Sequence, residues 1–380
     1  MDIKNRTYRN VFLELGLSEG EIEDRVEDTF YEIFYGENKF FFMNEEENMG
    51  YIEDTGNHDV RTEGMSYGMM MCVQLNHKKE FDCIWNWARN YMYMEEGENA
   101  GYFAWSVSTD GVKNSYGAAP DGEEYFAMAL FFASHRWGDG QGIFNYSKEA
   151  RNLLHTLIHK GEDGIGRAMW DSNNYLIRFI AERDFSDPSY HLPHFYELFA
   201  LWANEEDREF WKKAAAASRS FLIKACDSKT GLSAEYSTFE GKPYSGEQEI
   251  FGRHDWYYSD AYRTIANIGL DYEWFSKDTE HGIWCKKNAE KLQFFFKNTV
   301  KDSNRKVYTI EGEVLDIDAL HPVAITATNA QASLASSGEY ALECVKDFWN
   351  TPLREGSRRY YDNCLYMFAM LALSGNYQIY

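Results

Sequence analysis

The sequence predicts an all-α fold, an (α/α)6 barrel in which six inner and six outer helices form two closed layers. Apolar residues recur at i, i+3, i+4 and i+7 along most of the chain, the spacing of one helix face. Nearly apolar helices also alternate with helices that carry a charged stripe. A helix that is apolar all round must be buried, whereas a striped one faces solvent, so the alternation indicates two layers. The same periodicity also fits an irregular all-α globule.

The predicted outer helices are amphipathic, and the first begins with a capping box formed by Ser18 and Glu21. Two stretches, residues 175–180 and 306–310, look like strands. The predicted outer helices span residues 21–34, 79–92, 147–160, 207–225, 284–298 and 339–349. The predicted inner helices span residues 64–76, 125–137, 191–203, 261–270, 322–336 and 364–375.

Composition excludes several classes of protein. The 380 residues carry a formal net charge of −23 with scattered Lys and Arg, so neither nucleic acid nor an anionic membrane is an expected partner. A hydrophobic content of 44% and an aromatic content of 17% exclude disorder and supply a large core. The few prolines and the absence of a Ser/Gly linker predict a single domain over residues 1–380.

The location is predicted from two features of the sequence. Uninterrupted apolar runs fall short of the ~18 residues that a membrane span requires, and the first ten residues, MDIKNRTYRN, lack a signal-peptide core, so a cytoplasmic protein is expected. The cysteines lie singly and mostly in apolar runs, which predicts buried free thiols and neither disulfides nor zinc ligands. With no ligand cluster visible in the sequence, no metal or organic cofactor is expected. The cysteines are Cys72, Cys83, Cys226, Cys285, Cys344 and Cys364.

Polar and aromatic residues cluster directly before the predicted inner helices. In a barrel of this kind the loops that lead into the inner helices meet at one rim. Carboxylates and arginines bind sugar hydroxyls, and aromatic rings stack on sugar C–H faces, so the pattern favours a carbohydrate cleft. The segments are residues 59–64, 119–124, 185–191, 254–260, 320–321 and 358–363.

Hydrolysis of a glycosidic bond needs one protonated carboxyl and one ionised carboxylate. Glu63, Asp121 and Asp260 are rim candidates. Asp121 and Asp260 also fit helix caps, and spacing alone favours capping for each of them. Glu63 lies at a helix N-terminus, where the dipole favours the charged form, so an acid there needs apolar surroundings or neighbouring carboxylates. Trp105 and Tyr67 are candidates for those surroundings.

Several segments resemble the motifs of glycoside hydrolase family 8, in the order found in that family. The resemblance covers most of the chain. The segments are residues 61–68 (RTEGMSYG), 102–106 (YFAWS), 120–127 (PDGEEYFA) and 259–263 (SDAYR). Further segments are similar to the reducing-end xylose-releasing exo-oligoxylanases of that family: residues 186–196 (SDPSYHLPHFY), 320–322 (LHP) and 358–366 (RRYYDNCLY).

This resemblance implies an (α/α)6 barrel, an inverting hydrolase and a xylo-oligosaccharide substrate. Glu63 matches the general acid, Asp260 matches the general base, and Asp121 matches the carboxylate that holds the distorted sugar at subsite −1. Asp255 is a rival for the base, although it lacks the following Ala-x-Arg. The expected substrate-binding residues are Arg61, Trp105, Tyr190, His321, Tyr360 and Tyr361.

Release of xylose from the reducing end requires a wall beyond subsite +1. Pro322 suits a first helical turn and fixes φ, so Leu320 and His321 are expected to form that wall, with His321 bonding the anomeric hydroxyl. The simpler alternative is that His321 packs as an ordinary helix-start residue.

Other functions fit parts of the sequence. An endo-acting xylanase, cellulase or chitosanase would have the same carboxylates in an open cleft. A polysaccharide lyase or sugar epimerase would use a His or Tyr base, for which His191, His194 and His254 are candidates. A non-catalytic sugar-binding protein would need the aromatic residues but no carboxyl pair. A terpene cyclase is excluded because the DDxxD metal motif is absent from the sequence.

Overall fold

The helices of the computed structural model, which describes residues 6–246, 253–301 and 306–380, alternate between an outer and an inner layer. After the short α1, even-numbered helices are outer and odd-numbered helices are inner. In chain order they are α1 (Val11–Glu14), α2 (Glu19–Phe34), α3 (Thr62–Leu75), α4 (Lys78–Trp87), α5 (Pro120–Trp137), α6 (Tyr146–His159), α7 (Pro193–Trp202), α8 (Arg208–Ala225), α9 (Tyr262–Asp271), α10 (Glu280–Phe294), α11 (Pro322–Gln331), α12 (Ala341–Trp349) and α13 (Arg359–Leu373).

The inner helices form a closed ring. Each of them packs against the next inner helix, and α13 packs against α3. Each inner helix also packs against an outer one, in the pairs α3 with α4, α5 with α6, α7 with α8, α9 with α10, α11 with α12 and α13 with α2. This arrangement confirms the predicted (α/α)6 barrel and excludes the irregular globule.

The two layers follow from the side chains. Residues Met65 to Val73 of α3 are buried throughout, so this helix needs protein on every side. The outer helix α2 buries one face, including Val26 and Ile33, and leaves the other in solvent. Its predicted capping box is present, because Ser18 accepts from the Glu21 N–H and Glu21 accepts from the Ser18 N–H.

Three of the inner helices begin earlier than the sequence predicted, whereas α7 and α9 begin slightly later. α3 begins at Thr62 instead of residue 64, α5 at Pro120 instead of residue 125, and α13 at Arg359 instead of residue 364. Proline is well suited to the first turn of a helix, and acidic residues are stabilised there by the helix dipole. The polar residues assigned to loops therefore lie in first helical turns, which hold their side chains more rigidly.

Two small antiparallel sheets accompany the barrel. The prediction of a strand at residues 306–310 is confirmed, but residues 175–180 form only one isolated bridge, between Trp170 and Ile177. The remaining strands were not predicted because strands of two to five residues are too short to show alternation. The first sheet is β1 (Phe41–Met43), β2 (Gly50–Asp54), β3 (Asp59–Arg61) and β4 (Ser106–Ser108), and the second is β5 (Trp256–Tyr257), β6 (Lys306–Thr309) and β7 (Val314–Asp318).

All six cysteines are buried free thiols, as predicted. Among the described helices, none combines the length and apolarity that crossing a bilayer requires. The first five residues of the N-terminal segment lie outside the described part of the chain.

Candidate active site

The candidate carboxylates lie at the N-terminal ends of inner helices. Glu63 is in the first turn of α3, and Asp121 is in the first turn of α5, which packs against α3. Asp260 lies in the 3-10 turn Ser259–Ala261, which leads directly into α9. The ring therefore brings these carboxylates to one rim, although they are separated widely in the sequence.

A single buried guanidinium joins these carboxylates. Arg263 Nη1 lies 3.0 Å from Glu63 Oε2 and 3.1 Å from Asp121 Oδ2, and it donates to the Tyr67 hydroxyl at 2.7 Å. Arg263 Nη2 lies 3.1 Å from Asp260 Oδ2, three residues earlier in the chain. In the sequence, Arg263 stands out only as part of the SDAYR motif, with no predicted role of its own. The signal that could have revealed its role is its position three residues after Asp260, which places the two side chains on one face of a helical turn.

Two glycines permit this close approach of helices. A Cβ on Gly122 would lie 2.5 Å from Thr62 Cβ, and a Cβ on Gly64 would lie 2.6 Å from the Tyr360 ring. Gly122 thus lets the first turn of α5 meet the first turn of α3. Gly64 leaves room for the Tyr360 hydroxyl, which donates to Glu63 Oε1 at 2.8 Å.

Glu63 is held mainly in its protonated form near neutral pH. Burial raises its pKa to about 8, and the negative charges of Asp260 and Asp121 act in the same direction. The Arg263 guanidinium and the hydrogen bond from Tyr360 oppose this rise. The expectation that neighbouring carboxylates would help to retain the proton is thus met. The direct contacts of Glu63 are Arg263 and Tyr360, whereas Tyr67 acts through Arg263 and Trp105 lies against Arg61.

The capping interpretation of Asp121 and Asp260 is wrong. The N-cap of α5 is Ala119, which makes no side-chain cap, and Asp121 instead contacts Arg263. Burial raises the pKa of Asp121, while Arg263 lowers it. Asp260 lies inside its 3-10 turn and makes no cap either. That turn begins at Ser259, whose φ of 46° is an uncommon left-handed conformation for a residue with a side chain.

Asp255, the rival for the base, has a different partner. Its carboxylate pairs with the exposed Arg253, whose Nε lies 2.8 Å from Oδ1. This bond from Arg253 lowers the pKa of Asp255. Among the described contacts Asp255 does not touch Arg263, so the geometry favours Asp260.

Arg61 and Trp105 form a second polar and aromatic surface. The strands β3 and β4 pair Arg61 with Ser106, and the Arg61 guanidinium lies 5.3 Å from the centroid of the Trp105 ring. Arg61 Nε also lies 3.0 Å from Asp59 Oδ1. The loop that carries Trp105 is tied to α5 because Glu123 Oε1 accepts from the Phe103 N–H at 2.7 Å.

Two of the predicted tyrosines flank the guanidinium. The Arg263 guanidinium carbon lies 5.4 Å from the centroid of Tyr190 and 6.0 Å from that of Tyr361. The Tyr361 hydroxyl donates to the carbonyl of Ser259 at 3.3 Å. Tyr361 therefore links α13 to the turn that carries Asp260.

His321 is anchored by a hydrogen bond to a buried carboxylate. Its Nδ1 lies 3.0 Å from Asp362 Oδ2, and its ring lies 4.6 Å from the Tyr361 ring, centroid to centroid. Arg354 also contacts Asp362 and donates to the carbonyl of Leu320 at 2.6 Å. His321 is thus the packed helix-start residue of the simpler interpretation, and it is also fixed within the predicted cluster of rim residues.

Two further buried carboxyls near Asp260 were missed in the sequence. Burial and the charge of Asp260 raise the pKa of Asp187 and of Glu235. Asp187 accepts from the Ser189 N–H at 2.7 Å, and Glu235 Oε2 lies 2.6 Å from His254 Nδ1. Asp187 belongs to the SDPSYH segment, which was a signal, whereas no pattern marked Glu235.

The histidines proposed for a lyase or epimerase include two core residues. His191 is fully buried between the hydroxyls of Ser186 and Ser218, each 2.9 Å from a ring nitrogen. Burial lowers the pKa of His191 and of His194 to about 3. These two positions are structural, and the rim carries paired carboxyls, which suit acid and base catalysis of hydrolysis.

Comparison with known proteins agrees with this chemistry. A family model described as "Glycosyl hydrolases family 8" matches residues 35–375. The reducing end xylose-releasing exo-oligoxylanase of Halalkalibacterium halodurans is 57% identical over 379 residues, which cover 99% of this chain and 95% of that protein.

Solved structures show the same similarity. Rex8A from Paenibacillus barcinonensis, complexed with xylose, has a TM-score of 0.95 and 54% identity, with 98% of each chain covered. A variant of Rex8A complexed with an arabinofuranosyl-xylotetraose has a TM-score of 0.95 and 53% identity, covering 100% of this chain and 98% of that one. With a family match over most of its length and relatives of this identity, the chain belongs to glycoside hydrolase family 8.

Proposed function

We propose that this hydrolase releases xylose from the reducing end of xylo-oligosaccharides with inversion of the anomeric configuration. The observation that carries the proposal is the contact of one buried guanidinium, Arg263, with the carboxylates of Glu63, Asp121 and Asp260. The substrate class is supported by the relatives that are more than half identical over nearly the whole chain and carry this activity in their names.

Glu63 is the general acid of the proposed mechanism. A carboxyl with a pKa of about 8 still carries its proton at neutral pH. It donates this proton to the glycosidic oxygen as the bond breaks, which makes the departing xylose a better leaving group. Tyr360 and Arg263 hold one carboxyl oxygen each, so the direction of the transfer is set before substrate binds.

Asp260 is the general base. Its side chain is 25% exposed, so water can reach it, and its Oδ2 lies 3.1 Å from Arg263 Nη2, which holds the carboxylate in place. It takes a proton from the water that attacks the anomeric carbon on the face opposite the leaving group. The Arg263 guanidinium contacts Glu63 through Nη1 and Asp260 through Nη2, which leaves the acid and the base on different sides of one group.

Asp121 and the aromatic residues position the sugar. Asp121 lies beside Glu63 on the same guanidinium nitrogen and is placed to bond hydroxyls of the distorted sugar at subsite −1. Trp105, with Arg61 against it, offers a face for stacking on a neighbouring sugar. Tyr190, Tyr360 and Tyr361 complete the proposed binding surface.

The reducing-end specificity is assigned to His321. Because Nδ1 faces the Asp362 carboxylate, the ring proton resides on Nδ1 and Nε2 carries a lone pair. An acceptor of this kind suits the anomeric hydroxyl, which only a free reducing end provides. Arg354 stiffens the loop by bonding both Asp362 and the carbonyl of Leu320. The loop then leaves room for one xylose beyond the scissile bond.

Two wider properties are part of the proposal. The chain acts as a single catalytic domain, because contacts between α13 and α3 join both ends of the barrel. It acts in the cytoplasm, because six buried free thiols suit a reducing compartment. Fractionation of the cells that produce it, with the activity assayed in each fraction, tests the location.

Product analysis tests the activity. Xylotriose and xylotetraose are incubated with the protein, and products are separated by chromatography while proton NMR follows the fresh anomer. Xylose and the oligosaccharide one unit shorter are expected, with the α-anomer formed first from the β-linkage. A mixture of internal fragments would indicate the endo-acting alternative. Initial β-anomer, or transfer to an alcohol acceptor, would contradict inversion, and binding without any product would indicate a sugar-binding protein.

A further inference from the structure

A cluster of two histidines and one aspartate lies on the outer layer of the barrel. His155 and His159 are four residues apart on α6, so their rings share one face of the helix, with centroids 4.2 Å apart. Asp207 immediately precedes α8. Its Oδ2 lies 2.9 Å from His155 Nδ1, and its Oδ1 lies 2.7 Å from His159 Nε2.

The burial of Asp207 makes this cluster unusual. Its side chain is only 1% exposed, whereas His155 is 46% exposed. Within the described residues its carboxylate oxygens contact these imidazoles and no Arg or Lys. It makes no side-chain cap for α8 either. A buried carboxylate needs a cation or strong donors beside it, a role that a bound metal ion would fill.

A further carboxylate orients one of the histidines. Glu162 Oε1 lies 2.6 Å from His159 Nδ1, on the side of the ring opposite Asp207. With one proton held on Nδ1 by Glu162, exchange of the Nε2 proton for a metal ion would leave the Nε2 lone pair directed at that ion. Metal-binding histidines commonly donate their other ring N–H to a carboxylate in this way.

We propose that His155 Nδ1, His159 Nε2 and the Asp207 carboxylate bind a divalent transition-metal ion, with Zn²⁺ as the preferred ion and solvent as the fourth ligand. Imidazole and carboxylate are typical Zn²⁺ ligands, with bonds of about 2.0–2.2 Å. The candidate ligand atoms already lie within 4.8 Å of one another, so small side-chain rotations would place them around one ion. The partial exposure of His155 provides the path for the ion and for the water.

A second cluster of possible metal ligands differs from the one at Asp207 because an arginine already pairs with its carboxylate. Asp271, His281 and Cys285 also lie close together. There, however, Arg219 binds Asp271 through Nη2 at 2.8 Å and supplies the positive charge itself. A second cation at that position would be repelled, so we assign no metal to it. The cluster at Asp207 has no such guanidinium among its described contacts.

The expected consequence is a cross-link between outer elements of the barrel. The ion joins α6 to the start of α8, whereas the catalytic carboxylates lie on the inner helices α3 and α5 and before α9. Metal binding should therefore raise thermal stability, because it favours the folded chain over the unfolded one. The proposal is independent of the proposed hydrolase activity. It departs from the sequence-based expectation of no ligand cluster, because Asp207 is 48 residues from His159 in the chain.

Calorimetric titration tests the site. Tag-free protein is treated with EDTA, dialysed and titrated with ZnCl2, and its melting temperature is measured with and without Zn²⁺. One equivalent of Zn²⁺ should bind and raise the melting temperature. The double variant His155→Gln, His159→Gln should bind at least tenfold more weakly, and Glu162→Gln about tenfold more weakly, as expected for a residue that orients a ligand.

The control is His58→Asn, which removes a histidine that is 78% exposed and keeps a residue type that tolerates its positive φ. Zn²⁺ binding should be unchanged in this variant. The visible spectrum of bound Co²⁺ provides a second readout, since loss of a histidine ligand alters it while a fold defect alone does not. The proposal is overturned if the parent protein binds no Zn²⁺, or if the double variant binds it as tightly as the parent.

Discussion

The Tyr360 hydroxyl donates a hydrogen bond of 2.8 Å to Glu63 Oε1, while Arg263 occupies Oε2 of the same carboxyl. Both contacts stabilise the charged form of Glu63, yet its pKa stays near 8 because burial outweighs them. The proposed acid is thus held in position by groups that also oppose its protonation.

The first prediction concerns the parent enzyme. A general acid works only while protonated, so kcat/KM should be retained through neutral pH and fall as the pH rises through about 8. Initial rates on xylotriose between pH 4 and 10 provide the measurement. If kcat/KM instead falls near pH 5, the range of an ordinary glutamate, then Glu63 is not the acid or is not buried in the free enzyme.

The substitution Tyr360→Phe should shift the alkaline limb of the pH profile, which is the fall in kcat/KM as the pH rises, to higher pH. The hydrogen bond from Tyr360 lowers the pKa of Glu63, so its loss raises that pKa further and shifts the fall in kcat/KM to higher pH. The maximal rate should fall as well, because one carboxyl oxygen loses its anchor. Tyr361→Phe is the matched control, since that hydroxyl bonds the carbonyl of Ser259 and not Glu63. An unchanged limb in Tyr360→Phe contradicts the assignment.

The catalytic roles are tested with isosteric amides. Glu63→Gln and Asp260→Asn should each lower kcat by about 10²–10⁴-fold, the usual contribution of a general acid or base. The fold should persist because shape is retained, which thermal unfolding checks. Asp255→Asn should remain active, because Asp255 pairs with the exposed Arg253 instead of Arg263. If Asp255→Asn is inactive and Asp260→Asn is active, the base has been assigned wrongly.

Replacement of Arg263→Met should destabilise the protein. It leaves buried carboxyls without their cation, and loss of one partner of a buried ion pair costs about 3–5 kcal/mol. The deficit should shrink as the pH falls, because Arg263 lowers the pKa of Asp121 and its removal lets that carboxyl bind a proton in the folded state.

Urea unfolding at pH 7 and pH 5 measures this effect. The control Arg253→Met removes an arginine that is half exposed, and it should leave the stability nearly unchanged. Equal stability of Arg263→Met and the parent protein at pH 7 would show that the cluster is not held by this guanidinium.

The proposed wall beyond subsite +1 is tested by removing each partner of one hydrogen bond in turn, the anomeric hydroxyl of the substrate and the side chain of His321. Reduction of the terminal sugar to an alditol should slow the parent enzyme roughly tenfold, about the contribution of one hydrogen bond. His321→Ala should lose this discrimination and release fragments longer than xylose from xylopentaose. Chromatography of timed samples gives both results. Equal rates on sugar and alditol, or xylose as the sole product from the variant, would refute the wall while leaving the hydrolase assignment intact.

The layered fold could be predicted because the pattern of apolar side chains in each helix indicates by itself which of its faces are buried. An apolar helix such as α3 and a striped helix such as α2 differ in their own side chains, whatever their neighbours are. Helix starts were placed too late at α5 and α13, because the polar first turns of these helices resemble loops in the sequence. Except for the strand at residues 306–309, the short strands were missed, since two to five residues carry too little pattern.

The site was predicted only in part. Glu63, Asp121 and Asp260 were singled out by motif resemblance, while spacing alone favoured caps for Asp121 and Asp260, which the contacts with Arg263 contradict. The pairing of Asp255 with Arg253 and the burial of His191 and His194 are likewise visible only in the folded chain. Spacing along the sequence indicates local structures such as a helix cap. It does not show contacts between distant segments, such as the contact of Asp121 with Arg263.

The sequence by itself determined which segments become helices, which of their faces are buried, and which residue types are present to do chemistry. Those properties depend on neighbours a few residues away. Only the tertiary structure decided that Arg263 joins Glu63 to Asp121, and that His159 meets Asp207. The pKa of Glu63 depends on burial and on charges from other helices, and these exist only once the ring of inner helices has closed.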